Sequence, residues 1–132
     1  MIWEEFFEVE RHPLGGPPGV YVIYDHRGAP KYVGSSDRVW DRLGGKHLAG
    51  SDTHAVQRAY KLALPDRIKR RAFLKRYVKI SYIETETVDE AKEIESRLIS
   101  KYEPAWNLSG IRGRKEQDTY EEYDYDFMAE YV

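Results

Sequence analysis

The sequence predicts an α/β (α+β) domain: a small three-stranded sheet flanked by helices. Three observations predict it. A hairpin signature runs from Gly19 to Gly34, a further β-type run covers Lys79 to Thr85, and helix-period segments cover 54–64, 66–77 and 87–102. In the hairpin, Val20, Val22 and Tyr24 alternate with Tyr21, Ile23 and Asp25, His26 to Pro30 supply turn chemistry, and Lys31, Tyr32 and Val33 resume the strand. Tyr21 and Tyr32 then lie side by side, as a packing pair or as something more.

The 132 residues are enough for one modest core. They divide into an extension at 1–18, a central domain at 19–110 that contains a basic helical segment at 54–77, and an acidic, aromatic tail at 111–132. Ile2, Trp3, Phe6, Phe7 and Val9 predict a short amphipathic helix or an edge element, and Pro13 to Pro18 then break regular structure. After the hairpin, Ser35, Ser36 and Asp37 offer N-capping oxygens to a short helix that buries Val39, Trp40 and Leu43 and ends at Gly44-Gly45. The first amides of that helix would favour a phosphate beside the tyrosines. Thr87 and Glu90 form a capping box for the helix that runs to Tyr102, and Glu103-Pro104 stops it. Trp40 and Trp106 are expected in the core.

Charge is uneven along the chain. The net formal charge is -2, but residues 116–132 hold seven acids and no Lys or Arg, which leaves 21 bases against 16 acids in the rest. Nine Lys or Arg and one acid lie between Arg58 and Lys79, which reads either as two solvated helix faces or as a phosphate-facing surface made by Arg58, Lys61, Arg67, Lys69, Arg70, Arg71, Lys75 and Arg76, with Ser35 and Arg38. The absence of cysteine excludes disulfides, thiolate-bound zinc and cysteine nucleophiles. No apolar run is long enough to span a membrane, and the first residues carry acids, so the expected setting is the cytoplasm with no membrane partner. Tyr120, Tyr123, Phe127 and Tyr131 fall at helical spacing in the tail; they predict an aromatic face for a homodimer contact, or a tail that masks the basic segment or packs locally.

On the 87–102 helix, Val88, Ala91, Ile94, Leu98, Ile99 and Tyr102 form an apolar stripe, and Glu95 falls inside it. A carboxylate facing a core must be paired with a cation, protonated or bound to metal, unless that end of the helix is open to water.

Five features now stand in order: Gly19-Val20-Tyr21, Tyr32-Val33-Gly34, Arg42 ten residues after Tyr32, Glu95, and Pro104 with Asn107. This order resembles the GIY-YIG nuclease superfamily over roughly Gly19 to Asn107. The repair-nuclease type carries a lysine directly after the second motif, where this chain has Ser35. Other members carry a histidine one turn after the arginine, where this chain has Lys46 next to His47.

The resemblance implies a mainly antiparallel sheet and a DNA endonuclease with one divalent ion, Mg2+ or Mn2+, held by Glu95. It implies catalytic roles for Tyr21, Tyr32, Arg42, Glu95, Asn107 and either Lys46 or His47. Arg42 would neutralise charge on the phosphoryl oxygens, and Tyr21 would be the general base. Bringing a phenol from a pKa near 10 to about 7 takes roughly 4 kcal/mol, which Lys46, His47, Arg42 and the ion would supply. His47 serves equally as a structural hydrogen-bonder, and Asn107 is expected to tie its loop to the sheet more than to act in the chemistry. Two other classes compete: a nucleic-acid-binding module of the same fold without turnover, and a structural domain with a basic face for a protein partner.

Overall fold

Strand β1 (Gly19–Tyr24) is the centre of a three-stranded sheet, antiparallel to β2 (Pro30–Ser36) on one side and β3 (Ile80–Glu84) on the other. The computed structural model describes residues 1–5, 16–43, 55–108, 110–119 and 123. The helices are α1 (Val39–Asp41), α2 (Ala55–Tyr60), α3 (Arg67–Tyr77) and α4 (Val88–Tyr102), and a 3-10 turn covers Glu116–Thr119. Phe6, Phe7, Val9, His12, Gly44, Gly45, Lys46, His47, His54, Tyr120, Phe127 and Tyr131 lie outside the described residues, and with them the expectations placed on them.

The alternation in β1 buries both of its faces. Val20 and Val33 pack with Ala91 and Ile99 under α4, while Tyr21, Ile23 and Ile80 face a larger core that includes Val56, Ala59, Tyr60, Leu64, Phe73, Leu74 and Trp106. The sheet is therefore a layer between α4 and the α2–α3 pair. Asp25 belongs to the turn rather than to the strand. Its carboxylate accepts from the amides of Arg27 at 3.0 Å and Ala29 at 2.9 Å, and Gly28 takes φ +90°, which a side chain rarely allows.

Several boundaries differ from expectation for local reasons. The pairing of Ser36 with Gly19 keeps β2 extended through Ser36, so Ser35, Ser36 and Asp37 do not cap a helix. Arg38 stands at the cap without a side-chain bond, its amide donates to Ser36 Oγ at 3.0 Å, and Val39 N–H donates to the Pro17 carbonyl at 3.0 Å. With those amides engaged and only one turn of helix, the expected phosphate site at this terminus is not formed. Helix α1 continues as a π-type turn through Arg42 and Leu43, and Trp40 is only partly buried at the edge of the core. Helix α2 stops at Tyr60, short of Leu64, and β3 stops at Glu84. Asp66 caps α3 by accepting from Lys69 N–H at 2.9 Å, and Thr87 caps α4 by accepting from Glu90 N–H at 3.1 Å.

Residues from the first segment and from the acidic segment join the core. Met1 pairs with Ile80 through its amino group at 3.0 Å, and the fully buried Trp3 donates to the Leu43 carbonyl at 3.1 Å. Thr119 is buried, and Tyr123 stacks on Tyr60 with ring centroids 4.7 Å apart. Tyr123 is 4% exposed, so the aromatic face expected to join two copies is, at this position, consumed within one chain. The homodimer expectation thus finds no support at Tyr123, and Tyr120, Phe127 and Tyr131 lie outside the described residues.

Candidate active site

The sheet register places the two motif tyrosines on one face. Tyr21 stands opposite Gly34 and Tyr32 opposite Ile23, so the rings meet diagonally, 6.1 Å between centroids and tilted by 31°. Gly34 makes this approach possible, because a Cβ there would sit inside the Tyr21 phenol. Gly19 is required for a second close approach, since its Cβ would lie 2.6 Å from the Ile83 carbonyl. Gly34→Ala is expected to displace the Tyr21 hydroxyl and destabilise the fold by about 1–3 kcal/mol, as overpacking does. Chemical denaturation measures the cost; an unchanged midpoint would show that Tyr21 does not press on β2.

Arg42 extends from the π-type turn to the Tyr21 hydroxyl, to which it donates, and Tyr21 is hydrogen-bonded in turn to Tyr32. The Arg42 Nε is buried and has no hydrogen-bond partner among the described residues. Tyr21 is 1% exposed, whereas Tyr32 is half-buried. Burial pushes the Tyr21 phenol far above its ordinary value and Tyr32 adds to this; Arg42 opposes through its hydrogen bond and charge, and Glu95 raises it again. Tyr32 is raised as well, first by burial and also by Glu95, against the charge of Arg42, the Tyr21 hydrogen bond and the charge of Arg58. The expectation of a Tyr21 phenol brought down toward about 7 rests on Arg42, Lys46, His47 and the ion together. Of the protein cations expected to lower it, Arg42 is in place but does not outweigh burial, and Lys46 and His47 are outside the described residues.

Glu95 sits on α4 near enough for its charge to reach both tyrosines. It is half-exposed rather than sealed in a core, and lines a small open pocket with Ser96, Ile99, Ser100 and Gly110. Its carboxylate has no ion pair or hydrogen bond among the described residues. No group of three or more metal-ligating residues occurs among the described residues. A lone, open carboxylate fits a hard divalent cation that keeps most of its waters, and does not fit a closed protein cage.

Asn107 is buried beneath the second strand. Its side chain accepts from Val33 N–H at 2.9 Å and donates to the Val33 carbonyl at 2.9 Å, so it copies a strand backbone and clamps β2 between Tyr32 and Gly34. Through these two bonds it positions the second motif. Arg114, which no sequence pattern singled out, donates to the carbonyls of Pro104 and Asn107 and holds this loop. The role of Gly34 was readable in principle, once Tyr21 is registered opposite it across the hairpin.

The basic set divides. Arg38, Lys61, Arg67, Lys69, Lys75 and Arg76 are exposed, Arg71 is half-buried, and Ser35 is half-buried on the side of the sheet that α4 covers. Arg58 and Arg70 are corrections. Arg70 is 0% exposed and donates to Gln57 Oε1 at 2.7 Å and the Leu64 carbonyl at 3.0 Å, and Arg58 is 8% exposed and likewise turned inward. Both sit on the apolar side of their helices, where guanidinium donors satisfy buried carbonyls.

The sequence description of the GIY-YIG catalytic domain matches residues 17–109. UvrABC system protein C of Clostridium acetobutylicum is 28% identical over 102 residues, 77% of this chain and 14% of that protein, so the chain spans only a small part of this relative's length. A point variant of the GIY-YIG N-terminal endonuclease domain of UvrC from Thermotoga maritima, bound to its catalytic divalent cation, aligns at 25% identity over 70% of this chain and 83% of that one, with a TM-score of 0.47. The magnesium-bound form of that domain aligns at 23% identity over 70% and 84%, with a TM-score of 0.44. With the motif residues in place on an antiparallel three-stranded sheet and the domain description covering most of its length, the chain belongs to the GIY-YIG family.

Proposed function

We propose that the chain is a metal-dependent DNA endonuclease of the cytoplasm, which hydrolyses phosphodiester bonds with one divalent ion, Mg2+ or Mn2+, on Glu95. The observation that carries this reading is Arg42. One part of its guanidinium is fixed by Tyr21 while its Nε is buried without an acceptor among the described residues. A buried donor left unmade costs about 1–3 kcal/mol, the condition of a group built to receive an oxygen from outside. A guanidinium is the side chain that best matches a phosphoryl oxygen in charge and hydrogen-bonding.

The residues divide the work as follows. Arg42 binds the phosphate and meets the charge that grows on its oxygens during displacement. Tyr21 remains a neutral phenol that accepts from Arg42 and fixes the guanidinium against Tyr32, and Tyr32, the less buried of the pair, meets the substrate. Glu95 would hold the ion, which supplies Lewis-acid polarisation of the phosphate and charge for the leaving 3' oxygen. Incubation with plasmid, single-stranded DNA and RNA tests the reading: Mg2+ or Mn2+ should produce nicks and a chelator should remove them. No nicking on any of the three would overturn turnover and leave a nucleic-acid-binding module.

DNA contact is assigned to α3. Helix α3 contains no acid, and Arg67, Arg71 and Lys75 recur every four residues, which places them on one ridge about 6 Å apart along the axis. Replacing all three by Gln should weaken DNA binding and flatten the dependence of log K on log salt by about 2–3, roughly 0.9 per lost phosphate contact. A slope that does not change removes α3 from the interface.

A further inference from the structure

Arg58 comes from the basic segment that the sequence assigns to phosphate contact, yet α2 turns it into the protein. Its Nε donates to Thr119 Oγ1 at 2.8 Å, and its Nη2 donates to the Trp106 carbonyl at 3.3 Å. The Thr119 hydroxyl gives its single hydrogen to the Glu116 carbonyl at 2.6 Å, so its lone pairs are left for Arg58. The Trp106 carbonyl belongs to the loop that pairs with β2. Trp106 N–H donates to the Lys31 carbonyl at 2.9 Å, and Asn107 grips Val33 through both of its backbone groups. These two attachments bracket Tyr32. Thr119 lies beyond residue 109, where the match to the family ends.

We propose that Arg58 is a positioning residue for Tyr32, and that Thr119, acting through Arg58, makes the segment after residue 109 a working part of the catalytic unit. The guanidinium holds the loop that holds the strand. Its charge also reaches the Tyr32 phenol and favours the ionised form. The kinetic consequence rests on the endonuclease reading; the geometric one does not.

Three variants test it: Arg58→Met, which keeps length but removes donors and charge; Arg58→Lys, which keeps charge; and Thr119→Val, which keeps shape but removes the acceptor. In metal-dependent nicking, Arg58→Met and Thr119→Val should lower kcat roughly 10- to 100-fold with KM and salt slope within about twofold, and Arg58→Lys should fall between them and wild type. A raised KM and a flatter salt slope at unchanged kcat would mark Arg58 as a DNA contact and overturn the proposal. A second measurement is independent of activity: the 13Cζ resonance of Tyr32 in tyrosine-labelled protein, assigned with Tyr32→Phe. That resonance should shift in Thr119→Val and Arg58→Lys, the two variants that disturb the fold least. If it stays in place in both, the proposal fails whether or not the wild-type protein cuts DNA. Wild-type protein that cuts nothing counts against the endonuclease reading alone.

Discussion

Glu95→Gln is expected to abolish metal-dependent cleavage, by about 10³-fold or more, while leaving the thermal midpoint almost unchanged. The size follows from the chemistry that the ion supplies. A Lewis acid at a transferring phosphate is worth several kcal/mol, and each 1.36 kcal/mol is about tenfold in rate. The small stability effect follows from the environment. Glu95 is half-exposed on α4 and makes no ion pair or hydrogen bond among the described residues, so an isosteric amide disturbs little, within about 0.5 kcal/mol. Electrostatics sharpen the test. The Glu95 charge raises both phenols, so its removal makes Tyr21 and Tyr32 easier to ionise. If ionisation of a tyrosine limited the rate and the carboxylate held no ion, Glu95→Gln would be as active as wild type or more so. Activity assayed across Mg2+ and Mn2+ concentrations, beside a melting curve, separates the two outcomes.

Arg42→Lys should lower kcat by about 10²- to 10³-fold, the cost of removing one preorganised donor from a developing oxyanion. A lysine keeps the charge but offers one point of attachment where the guanidinium offers several, one to the Tyr21 hydroxyl and another at Nε, which has no acceptor among the described residues. It also leaves Tyr21 without its hydrogen bond in a site where burial already disfavours charge. Substrate affinity should change far less than turnover if the exposed cations of α3 supply the long-range attraction proposed for them. Single-turnover rates at saturating DNA make the distinction; an unaltered rate with weaker binding would move Arg42 from the chemistry to the DNA interface.

Much of this site was legible in one dimension. The hairpin, the helix periods and the order Tyr21, Tyr32, Arg42, Glu95, Asn107 depend on local alternation, turn residues and spacing, which a sequence displays directly. The capping residues Asp66 and Thr87 were of the same kind, because a cap acts within one turn of itself.

The basic segment shows what spacing alone leaves open. Nine cations in a row of helices read as one charged surface, but a helix has an inside, and its phase against the core turned Arg58 and Arg70 into buried clamps while Arg67, Lys69, Lys75 and Arg76 stayed outside. The same holds for Glu95, whose place in an apolar stripe left a paired, metal-bound or solvent-open carboxylate all possible; the packing of α4 on the sheet leaves it half-exposed. Sequence by itself determined the family motifs and the identity of the acid, the guanidinium and the two phenols, because chemistry resides in residue type and order. Tertiary structure alone decided which charges face water, that burial drives Tyr21 away from ionisation, and that Thr119 and Tyr123 from the acidic end are part of the core. Burial is set by contacts between segments far apart in the chain, and no local pattern records it.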